Sequence, residues 1–142
     1  MGTDTNTKAL VRDLNRVLPL LARDALASSI AAGAMPGVEG IALGRQLTEI
    51  AAAELADVER VAARIASLGG SSSVQIGKVD LPKSAPAAIK RLATLQREAN
   101  DAVVAAIHAD ADDAEGEATE HLLEHIVSRK RDVIELLERA TR

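Results

Sequence analysis

The chain has 142 residues, the size of one ordinary domain, with 28 alanines, 47% hydrophobic and 27% charged residues, and no Phe, Trp, Tyr or Cys. Without cysteine there is no disulfide scaffold, thiol enzyme or cysteine-ligated metal cluster. Without aromatics there is no platform for stacking bases, and a net charge of −4 offers phosphates no basic face, so no nucleic-acid partner is expected.

Met1 to Thr7 are polar and lack the basic and apolar regions of a secretory leader. No run of about 18 apolar residues stands out, so the expectation is a soluble, cytoplasmic protein with no membrane partner. Strong helix formers dominate, and β-branched strand runs are missing. The first helix is predicted over about residues 8–32, with Leu10, Leu14, Val17 and Leu21 on one seam. Pro19 inside it predicts a bend or local break, and Gly33 with Met35-Pro36-Gly37 ends it.

The second helix is predicted over about 38–68, with a near-heptad seam of Leu43, Leu47, Ile50, Glu54, Asp57, Val61, Arg64 or Ile65, and Leu68. Gly69-Gly70 is its stop signal. A Gly-, Ser- and Pro-containing stretch without helical period follows, to Lys83. The third helix is predicted over about 85–110, with Ile89, Leu92, Gln96, Ala99, Val103 and Ala106 in register. After an acidic turn from Asp110 to Glu117, the fourth spans about 118–140, with Thr119, Leu123, Ile126, Lys130, Val133 and Leu137 in register.

The two short links join antiparallel neighbours. The middle link, about 15 residues, reaches roughly 50 Å when extended, enough to run the length of a helix of about 27 residues. Helices two and three are then parallel. The fold class is all-α: a single up-down four-helix bundle with one long crossover between helices 2 and 3, the ferritin-like arrangement.

Four seam positions are polar where a plain bundle carries Leu or Ala: Glu54, Asp57, Gln96 and Lys130. Glu54 and Asp57 are three apart and leave one face of helix two, where bundles of this topology build carboxylate metal sites. The run from Glu54 to Gly70 resembles helix two of bacterioferritins, which reads Glu-x-x-His, an apolar stretch, then Arg-Ile-x-x-Leu-x-Gly. Leu14-Asn15, Gly77-Lys78-Val79 and Leu122-Leu123-Glu124-His125-Ile126 fit the same family, and the resemblance runs from about Leu10 to Glu138.

The resemblance implies iron oxidation and storage at a di-iron site, but the matched positions depart from that pattern. Where the family has a Glu on helix one, this chain has Leu21. Helix two gives Glu54 and Asp57 for Glu-x-x-His, helix three gives Gln96 for Glu, and helix four gives Lys130 and Val133 for the second Glu-x-x-His. Iron is thus the candidate metal, with Glu54 and Asp57 as its remaining ligands. The family's haem-ligating Met falls on Leu55, so haem is not expected. A protonated Lys130 cannot ligate and repels a dication. The expectation is a metal-free polar core of Glu54, Asp57, Gln96 and Lys130, with the ammonium paired to Glu54 or Asp57.

His121 and His125 stand four apart, a chelating spacing, and read as a solvated or interface pair; His108 is the third histidine. The acidic run through Asp110, Asp112, Asp113, Glu115, Glu117 and Glu120 reads as a solvated turn feeding a helix N-terminus. Second apolar lines on helix one (Val11, Leu18, Ala25, Ala32) and helix two (Ile41, Ala51, Ala52, Val58, Ala62) predict an oligomer interface, and the resemblance implies a homodimer or larger homo-oligomer. An active ferritin-like relative is a further candidate partner. The functional expectation is a non-catalytic structural or interaction subunit, and the competing one is an iron-binding store with residual ferroxidase activity.

Overall fold

The computed structural model describes residues 2–107 and 113–141. They form four helices: α1 (Gly2–Ala34), α2 (Gly37–Ser67), α3 (Ala85–Ala106) and α4 (Ala114–Ala140), with no strand among the described residues. Each helix turns a buried apolar face inward. These faces meet in two apolar clusters, one at each end of the bundle. One joins Leu14, Val17 and Leu21 of α1 to Val61 and Ile65 of α2, Val103 of α3 and Leu123 and Ile126 of α4. The other joins Ala27 and Ala31 to Leu47, Ile89, Leu92 and Leu137. The start of α1 therefore lies beside the end of α2, the end of α3 and the start of α4. Helices α2 and α3 run parallel, as do α1 and α4.

The helix ends follow local chemistry. At the end of α2, Gly69 has φ +83 and donates to Ala66 O at 3.0 Å, while Gly70 donates to Ile65 O at 2.9 Å. These two bonds form a Schellman motif, whose left-handed residue favours glycine. The Ser84 hydroxyl accepts from Ala87 N at 3.4 Å to start α3. The Asp113 carboxylate accepts from Gly116 N at 2.6 Å to start α4, with Glu115 and Glu117 in the first turn, where negative charge is favoured. This cap starts α4 at Ala114, a turn earlier than the hydrophobic period suggests. The acidic residues Glu115 and Glu117 thus belong to the helix; Asp110, Asp112 and His108 lie outside the described residues.

Segment 68–84 is the crossover, leaving the α1-start end and returning at the other. Asn15 holds its beginning, donating to Ser71 O at 3.0 Å and accepting from Ser73 N at 2.9 Å. Val79 and Leu81 hold its far part by packing on the second apolar cluster.

Several expectations change. Helix α1 starts at Gly2 and runs unbroken through Pro19, so the anticipated break is absent. The fixed φ of proline is already helical, and its cost is confined to one lost backbone bond and local crowding. Leu18, Ala25 and Ala51, expected on an oligomer surface, are buried within the single chain. Such long helices bury more than one line of residues against two neighbours each. An 18-residue stretch within Asn6–Ala34 does reach a mean hydropathy of 1.3, more apolar than the expectation of no such run. Of that stretch 44% is buried within the bundle, and the charged Asp24 on this helix is paired inside it.

Candidate functional site

Between the two apolar clusters lies a layer of polar side chains drawn from all four helices: Asp24 and Ser28 from α1, Glu54 from α2, Gln96 from α3 and Lys130 from α4. Lys130 is at its centre. Its Nζ donates to Asp24 Oδ2, Glu54 Oε2 and Gln96 Oε1, each at 2.9 Å, using the three protons of an ammonium. Gln96 Nε2 donates to Glu54 Oε2 at 2.9 Å, and Ser28 Oγ donates to Glu54 Oε1 at 3.3 Å. The side chains of Asp24, Glu54 and Lys130 are 0%, 6% and 3% exposed, so these charges are carried almost without water.

Asp57 lies apart from this layer. Its carboxylate accepts from Arg129 of α4 through both oxygens, Nε to Oδ2 at 3.0 Å, and from Arg60 Nη1 to Oδ1 at 2.9 Å. The sequence reading placed Asp57 beside Glu54, Gln96 and Lys130. The two carboxylates instead face different cations of α4, Glu54 meeting Lys130 and Asp57 meeting Arg129. Leu21, matched to the first family Glu, is buried in the neighbouring apolar cluster, and Val133 is half-buried.

Sequence reasoning missed Asp24 and Ser28 of this layer, and Arg129 beside Asp57. The seam Leu10, Leu14, Val17, Leu21 continues in steps of three and four to Asp24, Ser28 and Ala31, all buried, so the period was present to find the first two. Burial holds the Asp24 carboxyl above its ordinary value of 3.8; the neighbouring Lys130 and Arg23 pull the other way, and Glu54 pushes with the burial. Arg23 contacts Asp24 Oδ1 at 3.1 Å and donates to Leu95 O of α3 at 2.8 Å, bracing the layer from outside.

An open groove of about 340 Å³ runs between α2 and α4, with Glu54, Asp57, Arg129 and Lys130 in its wall among Ile50, Ala53, Val133 and Leu136. The histidines His121 and His125 stand on the exposed side of α4, their ring centroids 5.2 Å apart and edge to face. Among the described residues, no group of three or more His, Cys, Asp or Glu converges as a metal site.

Residues 27–141 match the family model described as Ferritin: Ferritin-like domain. The chain belongs to the ferritin-like family. No curated protein sequence matches it significantly. Solved ferritin-like structures superpose closely at low identity. A ferritin-like diiron-carboxylate protein from Bacillus anthracis str. Ames has a TM-score of 0.86 at 16% identity, over 96% of this chain and 97% of that one. A mutant of Dps1 from Mycobacterium smegmatis has a TM-score of 0.85 at 13% identity, over 98% and 99%. The bacterioferritin-related dodecameric thioferritin of Bacteroides fragilis has a TM-score of 0.74 at 14% identity, over 94% and 84%. At these identities the likeness establishes the fold of this ferritin-like protein.

Proposed function

We propose that this ferritin-like protein is a non-catalytic, self-associating scaffold in which an internal lysine supplies the positive charge that iron supplies in active relatives. The observation that carries the reading is Lys130 Nζ, 2.9 Å from an oxygen of each of Asp24, Glu54 and Gln96. The donor set does not fit iron. The oxygens that face the centre are already engaged by an ammonium, which has no lone pair and repels a dication. Two carboxylates against one buried ammonium, with Arg23 outside, already balance in charge. Self-association is supported by the exposed Leu26, Ile30, Val38, Ile41 and Leu55 on α1 and α2. The dodecameric state named for the Bacteroides fragilis neighbour points the same way. An active ferritin-like relative is the proposed hetero-partner, in the cytoplasm.

Aerobic Fe(II) oxidation by the purified protein, with metal analysis, tests the reading. The expected rate is that of buffer, with iron well below one per chain. Turnover above buffer that Glu54→Ala abolishes would overturn it, in favour of residual ferroxidase chemistry at Glu54 and Asp57.

A further inference from the structure

The scaffold reading leaves two imidazoles unused. His121 and His125 lie one helical turn apart on the exposed side of α4, away from the buried layer. Side chains at i and i+4 of a helix are neighbours, with Cβ atoms about 5–6 Å apart. The observed ring-centroid separation of 5.2 Å brings the two imidazoles into contact. Zinc sites built on helices use this spacing of histidines. The run reads His121-Leu122-Leu123-Glu124-His125, with a carboxylate between the two imidazoles in sequence. An open cleft of about 570 Å³ borders His121, and Glu117, Glu120 and Glu124 share its wall. An imidazole pair amid carboxylates is a neutral-nitrogen donor set in a negative field, which suits a borderline cation better than a hard one.

We propose that His121 and His125 form a two-imidazole site for one borderline divalent cation of the Zn²⁺, Cu²⁺ or Ni²⁺ class on the outer face of α4. Each imidazole offers one nitrogen at about 2.0–2.1 Å, and small rotations of two exposed rings from their edge-to-face pose bring both nitrogens to one ion. Water completes the coordination, since no third histidine or carboxylate converges there among the described residues. An open ion with two protein ligands is a reversible binding site. The pairing of a zinc ion with a catalytic base in an enclosed pocket, which a peptidase requires, is not built here.

Zinc titration of the metal-stripped full chain by calorimetry, with the imidazole proton resonances followed in parallel, tests the site. One Zn²⁺ per chain is expected, with both histidine resonances shifting, and His121→Ala or His125→Ala weakening binding at least about tenfold. Melting of both variants without zinc should match the parent, because both rings are exposed. Parent-like zinc affinity in the double variant would overturn the proposal, as would equal competition by Mg²⁺, which would assign the binding to the carboxylates. Zinc binding does not depend on the core reading, so failure here leaves Lys130 untouched, and iron turnover at Glu54 leaves the histidines untouched.

Discussion

Lys130 is the residue on which the four helices converge, and its removal isolates two carboxylates that water barely reaches. Breaking a buried ion pair by deleting one partner costs about 3–5 kcal/mol, so Lys130→Ala should lose that much in chemical denaturation. The vacated position faces oxygens of Asp24, Glu54 and Gln96, so methylammonium should raise the melting temperature of Lys130→Ala and leave the parent unchanged. Asp24 gives a second test through pH. Its folded pKa lies above the ordinary 3.8, so the folded state holds this proton more tightly than the unfolded chain. Its contribution to stability is therefore greatest below 3.8 and is lost as pH rises through the window up to the folded value. Asp24→Asn should remove that part of the slope of unfolding free energy against pH. A parallel profile in the variant would show that the proton is not held there. The sequence exposed the polar seam on α2, α3 and α4 because each polar residue interrupts an apolar register. On α1 the polar positions of the seam, Asp24 and Ser28, come only after four apolar ones, and for Asp57 spacing gives a face but not which of two cations a carboxylate turns to.

Between elements, polar clamps do what apolar packing does elsewhere. Arg129 of α4 reaches Asp57 of α2, and Arg64 of α2 donates to Thr119 Oγ1 at 3.0 Å and to Glu115 Oε2 and the Glu115 carbonyl at 2.8 Å. Arg129→Ala leaves buried Asp57 with the exposed Arg60 alone and should cost about 1.5–3 kcal/mol. In a double-mutant cycle with Asp57→Asn the losses should fall well short of additive. The crossover rests on a close approach: a Cβ at Gly70 would stand 2.6 Å from Val11 Cγ1 and 2.8 Å from Cγ2. Valine has stiff branches, so Gly70→Ala should cost about 1–3 kcal/mol by overpacking, and Val11→Ala in the same chain should recover part of it. Helix number, order and the long crossover were legible because hydrophobic period and link length carry them. The ends were less so: the start of α4 is set by the Asp113 cap, and α1 extends through polar residues that no hydrophobic period marks.

At the scale of the molecule, the apolar surface is unevenly placed. Leu26 and Ile30 lie one turn apart near the end of α1, and Val38 and Ile41 lie within one turn at the start of α2, just across the Met35–Pro36 turn. Four large apolar side chains therefore share one end of the α1–α2 hairpin, with Val38 and Ile41 at 77% and 86% exposure. Scattered exposed apolar residues are ordinary on a monomer, whereas a patch rimmed by charge marks an interface. Part of the surface expected to associate lies inside the chain, at Leu18, Ala25 and Ala51, which leaves a narrower exposed surface for the proposed self-association. A side chain 86% exposed contributes little to the folding of its own chain, which separates the effects of assembly and folding at Ile41. Ile41→Asp should therefore shift the native mass toward that of one chain while leaving the denaturation midpoint of the dissociated protein unchanged. Lys130→Ala should do the reverse, weakening the fold first and the assembly only through it. If Ile41→Asp kept the parent's native mass, the hairpin end would not be the self-association surface.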